Sequence, residues 1–456
     1  MNTSLQISTF WARWQKKFRA GQATRAAVWA IALPVMLANV TVPFVGMVDT
    51  AVMGHLDHAH YIGGVAMGSF IFSLITTTFG FQRMATTGLI AQAAGAGQKD
   101  VIFMTLYRAV VIALGLGLGI IAFSVPVIAL ARLALTASQA VLAGMETYIS
   151  ILAWAGPAIC LNMVGLGLMF GLQKVRYCMV QLVVINSVNI VANLAFVFGL
   201  GMKIEGVAFA SVLAQYVGLG VSILLVRACL GPFRQWRPVI WAEAAALGAL
   251  SRYAALGRDL TIRTLCIILG EVMVLNASAG LGDEVIAASQ LGFVIFGLMA
   301  YSLDGFAHAA EALVGTAVGK RDLKALRIAI RESTILALMT AAMMTAVIFM
   351  FGPAFMRVLT SIPEVLAEAE TVLFWLAVMP VTSVLAFQMD GVFIGATKAR
   401  IMRNAMVVSM AVFVPVLVLG KFWAGLDGIW IAFNILLALR GLTLWLKVRD
   451  VHAEAR

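Results

Sequence analysis

Charged residues are scarce in this sequence. Asp, Glu, Lys and Arg make up only 12% of the 456 residues, whereas 62% are hydrophobic, and the mean hydropathy is +0.99. Water-soluble domains carry about 25% charged residues, so this composition excludes that class. Short segments of strict alternation between turns are also missing, which excludes a transmembrane β-barrel. The composition predicts an all-α polytopic membrane protein.

Cysteine is also rare. The four cysteines stand singly in apolar segments, without a CxxC motif or a His/Cys cluster. We therefore expect no disulfides, no metal site and no cofactor. The basic N-terminal region is not followed by the short apolar core and cleavage site of a signal peptide. The net charge of +11 is typical of basic cytoplasmic loops, so no nucleic-acid partner is predicted.

Long apolar runs dominate what remains, and twelve of them are long enough to cross about 30 Å of hydrocarbon. We place these spans at 27–54, 61–97, 101–130, 138–167, 177–200, 205–228, 254–280, 285–319, 323–351, 365–393, 402–420 and 425–446. The second and eighth exceed one straight crossing, so we expect them to tilt, bend or project from the membrane.

The distribution of Lys and Arg predicts the orientation. With the N-terminus inside, 26 basic residues fall in cytoplasmic segments and four in outer loops. This asymmetry follows the positive-inside rule. Residues 1–26 form a basic arm, either interfacial or disordered, and 447–456 form a cytoplasmic tail.

An internal repeat divides the chain into two lobes. At an offset of 224 residues, Gly68 aligns with Gly292 and Gly95 with Gly319. We predict an N-lobe at 27–228, a cytoplasmic linker at 229–253 and a C-lobe at 254–446. Six spans per half give a parallel repeat, with a pseudo-two-fold axis along the membrane normal. Such repeats are typical of transporters in which one lobe rocks against the other.

The first span contains a carboxylate without a neighbouring cation. Asp49 lies in the outer half of this span, where an acid costs about 2.5–3.5 kcal/mol at the membrane centre and so indicates function. The alternative is that Asp49 reaches headgroup water. Pro34 and Pro43 each remove a helix hydrogen bond, so they predict a bent helix.

Asparagines in the fifth span reach a similar depth. Asn189 and Asn193 lie about 18 and 24 Å above its inner end and share one face. Together with Asn186, Asn39 and Asp49, they predict a polar cavity in the outer N-lobe. The alternative is that the amides only join helices by hydrogen bonds.

The C-lobe has its own intramembrane acid. Glu271 lies two positions from the repeat partner of Asp49, and it is a second candidate for binding a proton or cation. A pairing of Glu271 with Arg263 is disfavoured, because eight residues separate them by about 12 Å.

Four further charged residues lie towards the cytoplasmic ends of their spans. Arg83, Asp304 and Glu311 are predicted to form inter-lobe salt bridges or a gate rather than to bind substrate. We expect Asp390 to pair with the basic residues of the loop that follows it, namely Lys398, Arg400 or Arg403.

Four long motifs resemble the multidrug and toxic compound extrusion (MATE) transporters, in particular their DinF-like branch. These are VDTAVMGHL at 48–56, FGFQRMATTGLIAQAAGAG at 79–97, DGFAHAAEALVGTAVG at 304–319 and DGVFIGATKARIMRN at 390–404. The resemblance implies a V-shaped pair of lobes in the bacterial inner membrane. It also implies export of cationic or amphiphilic small molecules, driven by inward H⁺ or Na⁺.

The resemblance also implies residue roles. Asp49 matches the first-helix acid of the family, Pro34 the proline at which that helix bends, and Asn189 an asparagine of the fifth helix. Many relatives have aspartate where this chain has Asn193, and this difference favours coupling to a single proton at Asp49. We expect a monomer. The alternatives are a flippase for a lipid-linked precursor, which needs a cationic cavity, and a receptor or scaffold, which needs neither repeat nor buried acid. No motif predicts an enzyme.

Overall fold

The computed structural model describes residues 25–39, 41, 46, 48, 52–53, 59–231 and 247–455, and within these ranges the chain is helical. The described residues of the first half form eight α-helices: α1 Arg25–Asn39, α2 Ala59–Thr78, α3 Phe81–Gly95, α4 Lys99–Ala134, α5 Gln139–Leu152, α6 Gly156–Gly171, α7 Val175–Leu194 and α8 Ile204–Leu230. A 3₁₀ turn at Ala153–Ala155 joins α5 to α6, and a π-helical turn at Ala195–Gly199 extends α7.

From Leu247 onwards, the described residues form six helices: α9 Leu247–Ala279, α10 Asp283–Gly319, α11 Leu323–Leu359, α12 Pro363–Gly395, α13 Ala399–Leu446 and the short α14 Val448–Glu454. Local sequence explains several helix starts. The Asp322 carboxylate accepts the Ala325 backbone N–H at 2.8 Å and caps α11. Pro363 occupies the first turn of α12, where its missing N–H costs nothing.

Ten continuous helical segments of the described chain are long and apolar enough to cross a membrane. The last of them contains two arms, because Gly425 adopts non-helical angles of φ 55° and ψ −126° inside α13. The arms fold back closely, since a Cβ built on Gly428 would lie 2.0 Å from the Gly420 carbonyl oxygen. They correspond to the predicted eleventh and twelfth spans, while α1 corresponds to the start of the first.

The two long spans behave differently. The second contains a turn at Phe79–Gly80, between α2 and α3. The eighth stays a single helix, α10, whose 37 residues extend about 55 Å. Such a helix must tilt or project beyond about 30 Å of hydrocarbon.

The 224-residue repeat is visible in the backbone. Four tight turns contain a residue with positive φ: Gly97 (71°), Gln173 (57°), Arg321 (54°) and Thr397 (54°). Gly97 and Arg321 are 224 residues apart, as are Gln173 and Thr397. Each turn closes the preceding helix with the paired hydrogen bonds of a Schellman motif. We call the end of the molecule that carries these turns the inner end; it is the predicted cytoplasmic end.

Small residues allow close helix packing within each half. A Cβ on Gly167 would lie 2.7 Å from the Arg83 carbonyl oxygen, so α6 packs tightly on α3. The repeat-related contact joins α12 to α10, where a Cβ on Gly391 would lie 2.0 Å from the Ala307 carbonyl oxygen. These approaches are typical of membrane helices, which gain stability from close backbone packing.

The two halves also contact each other. Among the described residues, the hydrogen bonds between the halves lie between the middle of the molecule and its inner end. The helices involved are α1, α3 and the α6–α7 turn on one side, and α9 to α12 on the other, with one bond from the end of α2. The molecule is therefore closed at its inner end.

Candidate functional site

Asp49 and Pro43 lie outside the described residues, so their predicted roles remain predictions. Pro34 lies within α1, which continues as a helix to Asn39. Asn39 is partly buried and donates a hydrogen bond from Nδ2 to the Tyr301 carbonyl oxygen of α10 at 3.4 Å. This contact joins Asn39 to the second half of the chain.

All three asparagines of α7 make side-chain hydrogen bonds. Asn193 Nδ2 donates to Asn189 Oδ1 at 3.1 Å, and Asn189 Nδ2 donates to Ser211 Oγ of α8 at 3.0 Å. Asn186 Nδ2 donates to Thr41 Oγ1 at 2.6 Å, which ties α7 to the chain that follows α1. The amides of Asn186 and Asn189 thus connect α7 to other parts of the first half, as polar residues in membrane helices often do. Their role in a cavity with Asp49 remains a prediction.

Glu271 lies on α9 and is partly buried. Its carboxylate has no hydrogen-bond or ion-pair partner among the described residues, and Arg263 pairs elsewhere. The preceding Gly270 packs against Leu436, with Met410 and Phe413 close by. An acid without a partner inside a membrane-spanning helix is costly unless it binds a proton or a cation.

A second group of charges lies at the inner end, between the two halves. Arg83 of α3 donates from Nη1 to Glu311 Oε2 of α10 at 3.2 Å. His308 lies one turn before Glu311, and its Nδ1 is 3.4 Å from the same oxygen. Phe170 of α6 contacts both Arg83 and His308: the Arg83 guanidinium lies 5.7 Å from its ring centroid and the His308 ring 4.9 Å. Glu311 is only 1% exposed, so this is a buried inter-lobe ion pair.

A third group lies wholly in the second half. Asp390 of α12 accepts from the guanidinium groups of both Arg263 of α9 and Arg440 of α13, and all three residues are buried. The prediction that Asp390 pairs with the following loop is therefore wrong. The partners come from helices that surround α12, and burial of the carboxylate requires them. Asp304 interacts electrostatically with Arg263, Arg83 and His308, and so connects the two groups.

Polar side chains next to these charges complete the closed inner end. Gln92 Nε2 donates to the Gly395 carbonyl oxygen at 2.9 Å and to Thr397 Oγ1 at 3.3 Å. Gln173 Nε2 donates to Thr316 Oγ1 at 2.9 Å. At the 224-residue offset, Gln92 corresponds to Thr316 and Gln173 corresponds to Thr397. The two contacts are therefore related by the pseudo-two-fold axis.

A tyrosine adds a further contact across the closed end. The Tyr253 hydroxyl lies 2.8 Å from Thr86 Oγ1 and donates to the Gln82 carbonyl oxygen at 3.1 Å. None of these polar residues was a candidate from the sequence. The repeat offset was the available signal, because it pairs Gln92 with Thr316 and Gln173 with Thr397.

Two repeat-related halves of long apolar helices, in contact at one end, are typical of secondary transporters. The MatE family model matches residues 34–195 and again 261–419, more than half of the chain. The two matches end 224 residues apart, which confirms the repeat. The chain belongs to the MatE family, whose members are multidrug efflux transporters and not enzymes.

Relatives cover most of the chain. It is 39% identical over 427 residues to DNA damage-inducible protein F of Escherichia coli (strain K12), covering 92% of this chain and 90% of that protein. It is 23% identical over 342 residues to the probable multidrug resistance protein NorM of Thermotoga maritima, covering 74% and 72%. The predicted DinF-like resemblance is thereby confirmed.

Solved structures share the fold. A MOP superfamily transporter from Pyrococcus furiosus superimposes with a TM-score of 0.83 at 18% identity, covering 94% of this chain and 96% of that one. An outward-facing MATE transporter superimposes with a TM-score of 0.80 at 19% identity and the same coverage. The predicted two-lobe, all-α membrane fold is confirmed.

Proposed function

We propose that this chain is a secondary active antiporter of the bacterial inner membrane. It exports organic cations or amphiphilic toxic compounds in exchange for inward protons. The N- and C-termini lie in the cytoplasm, and the protein acts as a monomer. Sodium is the alternative coupling ion.

The observation that carries this proposal is the closed inner end. The lobes meet there through contacts that the repeat relates in pairs, such as Gln92 with Thr397 and Thr316 with Gln173. With the inner end at the cytoplasm, this is an outward-facing state. Two repeat-related lobes that meet through equivalent contacts at one end support a mechanism in which the lobes rock against each other.

The proposed coupling uses Asp49. Apolar surroundings disfavour a charged carboxylate, so a proton from outside binds it in the outward-facing state. Loss of the charge lets the first helix bend near Pro34, the N-lobe cavity shrinks and the substrate leaves. The proton then leaves to the cytoplasm. Glu271, unpaired on α9, is the site at which a sodium ion or a second proton would act.

Efflux of a cationic dye from proteoliposomes tests this scheme. Wild type is compared with Asp49→Asn under an imposed pH gradient and, separately, an imposed Na⁺ gradient. We expect export driven by the pH gradient in wild type and its loss in the variant. Asp57→Asn is the matched control, because it changes the same residue type eight positions further along. We expect this control to transport normally.

Each other outcome has a defined meaning. Wild-type export by Asp49→Asn under a pH gradient would refute coupling at Asp49. Export driven only by Na⁺ and abolished by Glu271→Gln would move the coupling to the C-lobe. No export under either gradient would refute the antiport of cations.

A further inference from the structure

The charges of the inner end are shared unequally between the lobes. Arg83 lies on α3 in the first half of the chain, whereas Glu311 and Asp304 lie on α10 in the second. The second half also holds Arg263, Arg440 and Asp390. With His308 neutral, these six residues are three arginines and three carboxylates. Their net charge is zero only while Arg83 is counted.

Opening of the inner end must separate Arg83 from Glu311. The pair is the direct ion contact between the lobes within this group, and each member belongs to a rigid helix of its own lobe. The C-lobe part then carries three carboxylates and two arginines, a net charge of −1. Asp390 keeps both of its arginines, because α9, α12 and α13 belong to the same lobe. The charge that loses its partner is that of Glu311.

The position of Glu311 favours a cation as its partner once Arg83 has moved away. Its Oε1 atom is buried without a hydrogen-bond partner among the described residues, although Oε2 contacts Arg83 and His308. The Phe170 ring lies beside the Arg83 guanidinium in the closed state, but it belongs to α6 and moves away with the lobe that carries Arg83. Opening therefore leaves a buried carboxylate that needs a new cationic partner.

We propose that Glu311 is a binding site for the organic cation substrate in the inward-open state, and that Arg83 occupies the same site in the outward-facing state. Closing of the inner end returns Arg83 to Glu311 and displaces the cation towards the central cavity. Arg83 thus acts as a tethered competitor of the substrate. This inference rests on the proposed export of cations and assigns the site at which they enter.

Equilibrium dialysis of purified protein with tetraphenylphosphonium, without any ion gradient, tests the proposal. We expect Glu311→Gln to weaken binding about tenfold, as the loss of one contact to a charged group predicts. We expect Arg83→Met to strengthen binding about tenfold, because the competitor is gone. The double variant Arg83→Met/Glu311→Gln should bind as weakly as Glu311→Gln alone, and Glu311→Asp should retain binding.

Two controls separate this role from a structural one. Glu332→Gln removes another inter-lobe ion pair of the inner end, with Arg25 at 2.7 Å, and should leave binding unchanged. Neutral triphenylphosphine oxide should bind every variant equally. Size-exclusion profiles establish that each variant is folded.

Three results would overturn the proposal. They are unchanged tetraphenylphosphonium binding in Glu311→Gln, recovery of wild-type binding in the double variant, and no binding to wild type. Unchanged binding in Glu311→Gln is also the result expected if the freed Glu311 takes up only a proton, because glutamine mimics the protonated acid. Gradient-driven export that persists unchanged in Glu311→Gln would refute this site and leave the antiport intact. Cation binding at Glu311 without gradient-driven export would refute the antiport and leave this site intact.

Discussion

Replacement of Gly319 by alanine tests whether the inner end opens during function. Gly319 ends α10, and a Cβ built on it would lie 2.0 Å from the Gln92 carbonyl oxygen of the other lobe. Real Cβ contacts stay above 3.0 Å, so the lobes must separate by about 1 Å. The atom in the way is backbone and cannot swing aside as a flexible side chain would. We therefore expect Gly319→Ala to disfavour the closed state.

The magnitude follows from this overlap. Overpacking of a close contact costs about 1–3 kcal/mol, which shifts a two-state equilibrium about 5- to 150-fold. Within α10 itself, alanine is favoured over glycine by about 1 kcal/mol. The substitution therefore weakens closure without weakening the helix. By the pseudo-two-fold, Gly95→Ala should act in the same way, because its Cβ would lie 2.2 Å from the Thr316 carbonyl oxygen.

Cysteine alkylation measures the effect. The reporter is Thr86→Cys, a fully buried position between the lobes, in a background without the native cysteines. In inside-out vesicles, a membrane-impermeant maleimide should modify it about 5- to 150-fold faster in Gly319→Ala. Gly115→Ala is the matched control, because nothing lies within 4 Å of its Cβ. An unchanged rate in folded Gly319→Ala would refute the closed inner end as a gate.

Two further predictions concern the same end of the molecule. Asp390→Asn leaves two buried arginines without their carboxylate, so we expect a loss of about 3–5 kcal/mol of stability, seen as a lower Tm in detergent. Glu146→Gln, in an exposed pair with Arg132, should leave Tm nearly unchanged, and equal shifts would contradict burial of the first group. Tyr253→Phe removes the hydrogen bonds to Thr86 and Gln82, so an inner-end cysteine should be alkylated severalfold faster, as a loss of about 0.5–1.5 kcal/mol predicts; an unchanged rate would exclude a role in closure.

The spans and the repeat could be predicted because both depend on the length and spacing of segments along the sequence. A run of apolar residues must cross the membrane as a helix, since lipid offers its backbone no hydrogen bonds. The offset of 224 required only the alignment of glycines such as Gly95 and Gly319. The length of the second span predicted only that it tilts, bends or projects, and did not give the position of the turn at Phe79–Gly80. Each inference depended on length or spacing, which a single sequence supplies.

The partners of the buried charges could not be predicted in this way. Asp390 is close in sequence to Lys398 and Arg403, yet it pairs with Arg263 and Arg440 from α9 and α13. Sequence distance measures proximity only along one helix, whereas these contacts depend on which helices lie side by side. The same limit applies to the asparagines, because their contacts with Thr41 and Ser211 join different helices.

The residues of the turns connect the repeat to the gate. Gln173 and Thr397 occupy equivalent left-handed positions, where a side chain costs about 1–2 kcal/mol relative to glycine. Gly97 shows that the fold accepts glycine in such a turn. Both strained residues use their side chains for inter-lobe hydrogen bonds, with Thr316 and Gln92 respectively. The strain is the same in a closed and an open state, so it favours neither, whereas the two hydrogen bonds exist only when the lobes are in contact. These bonds therefore favour closure at both equivalent places.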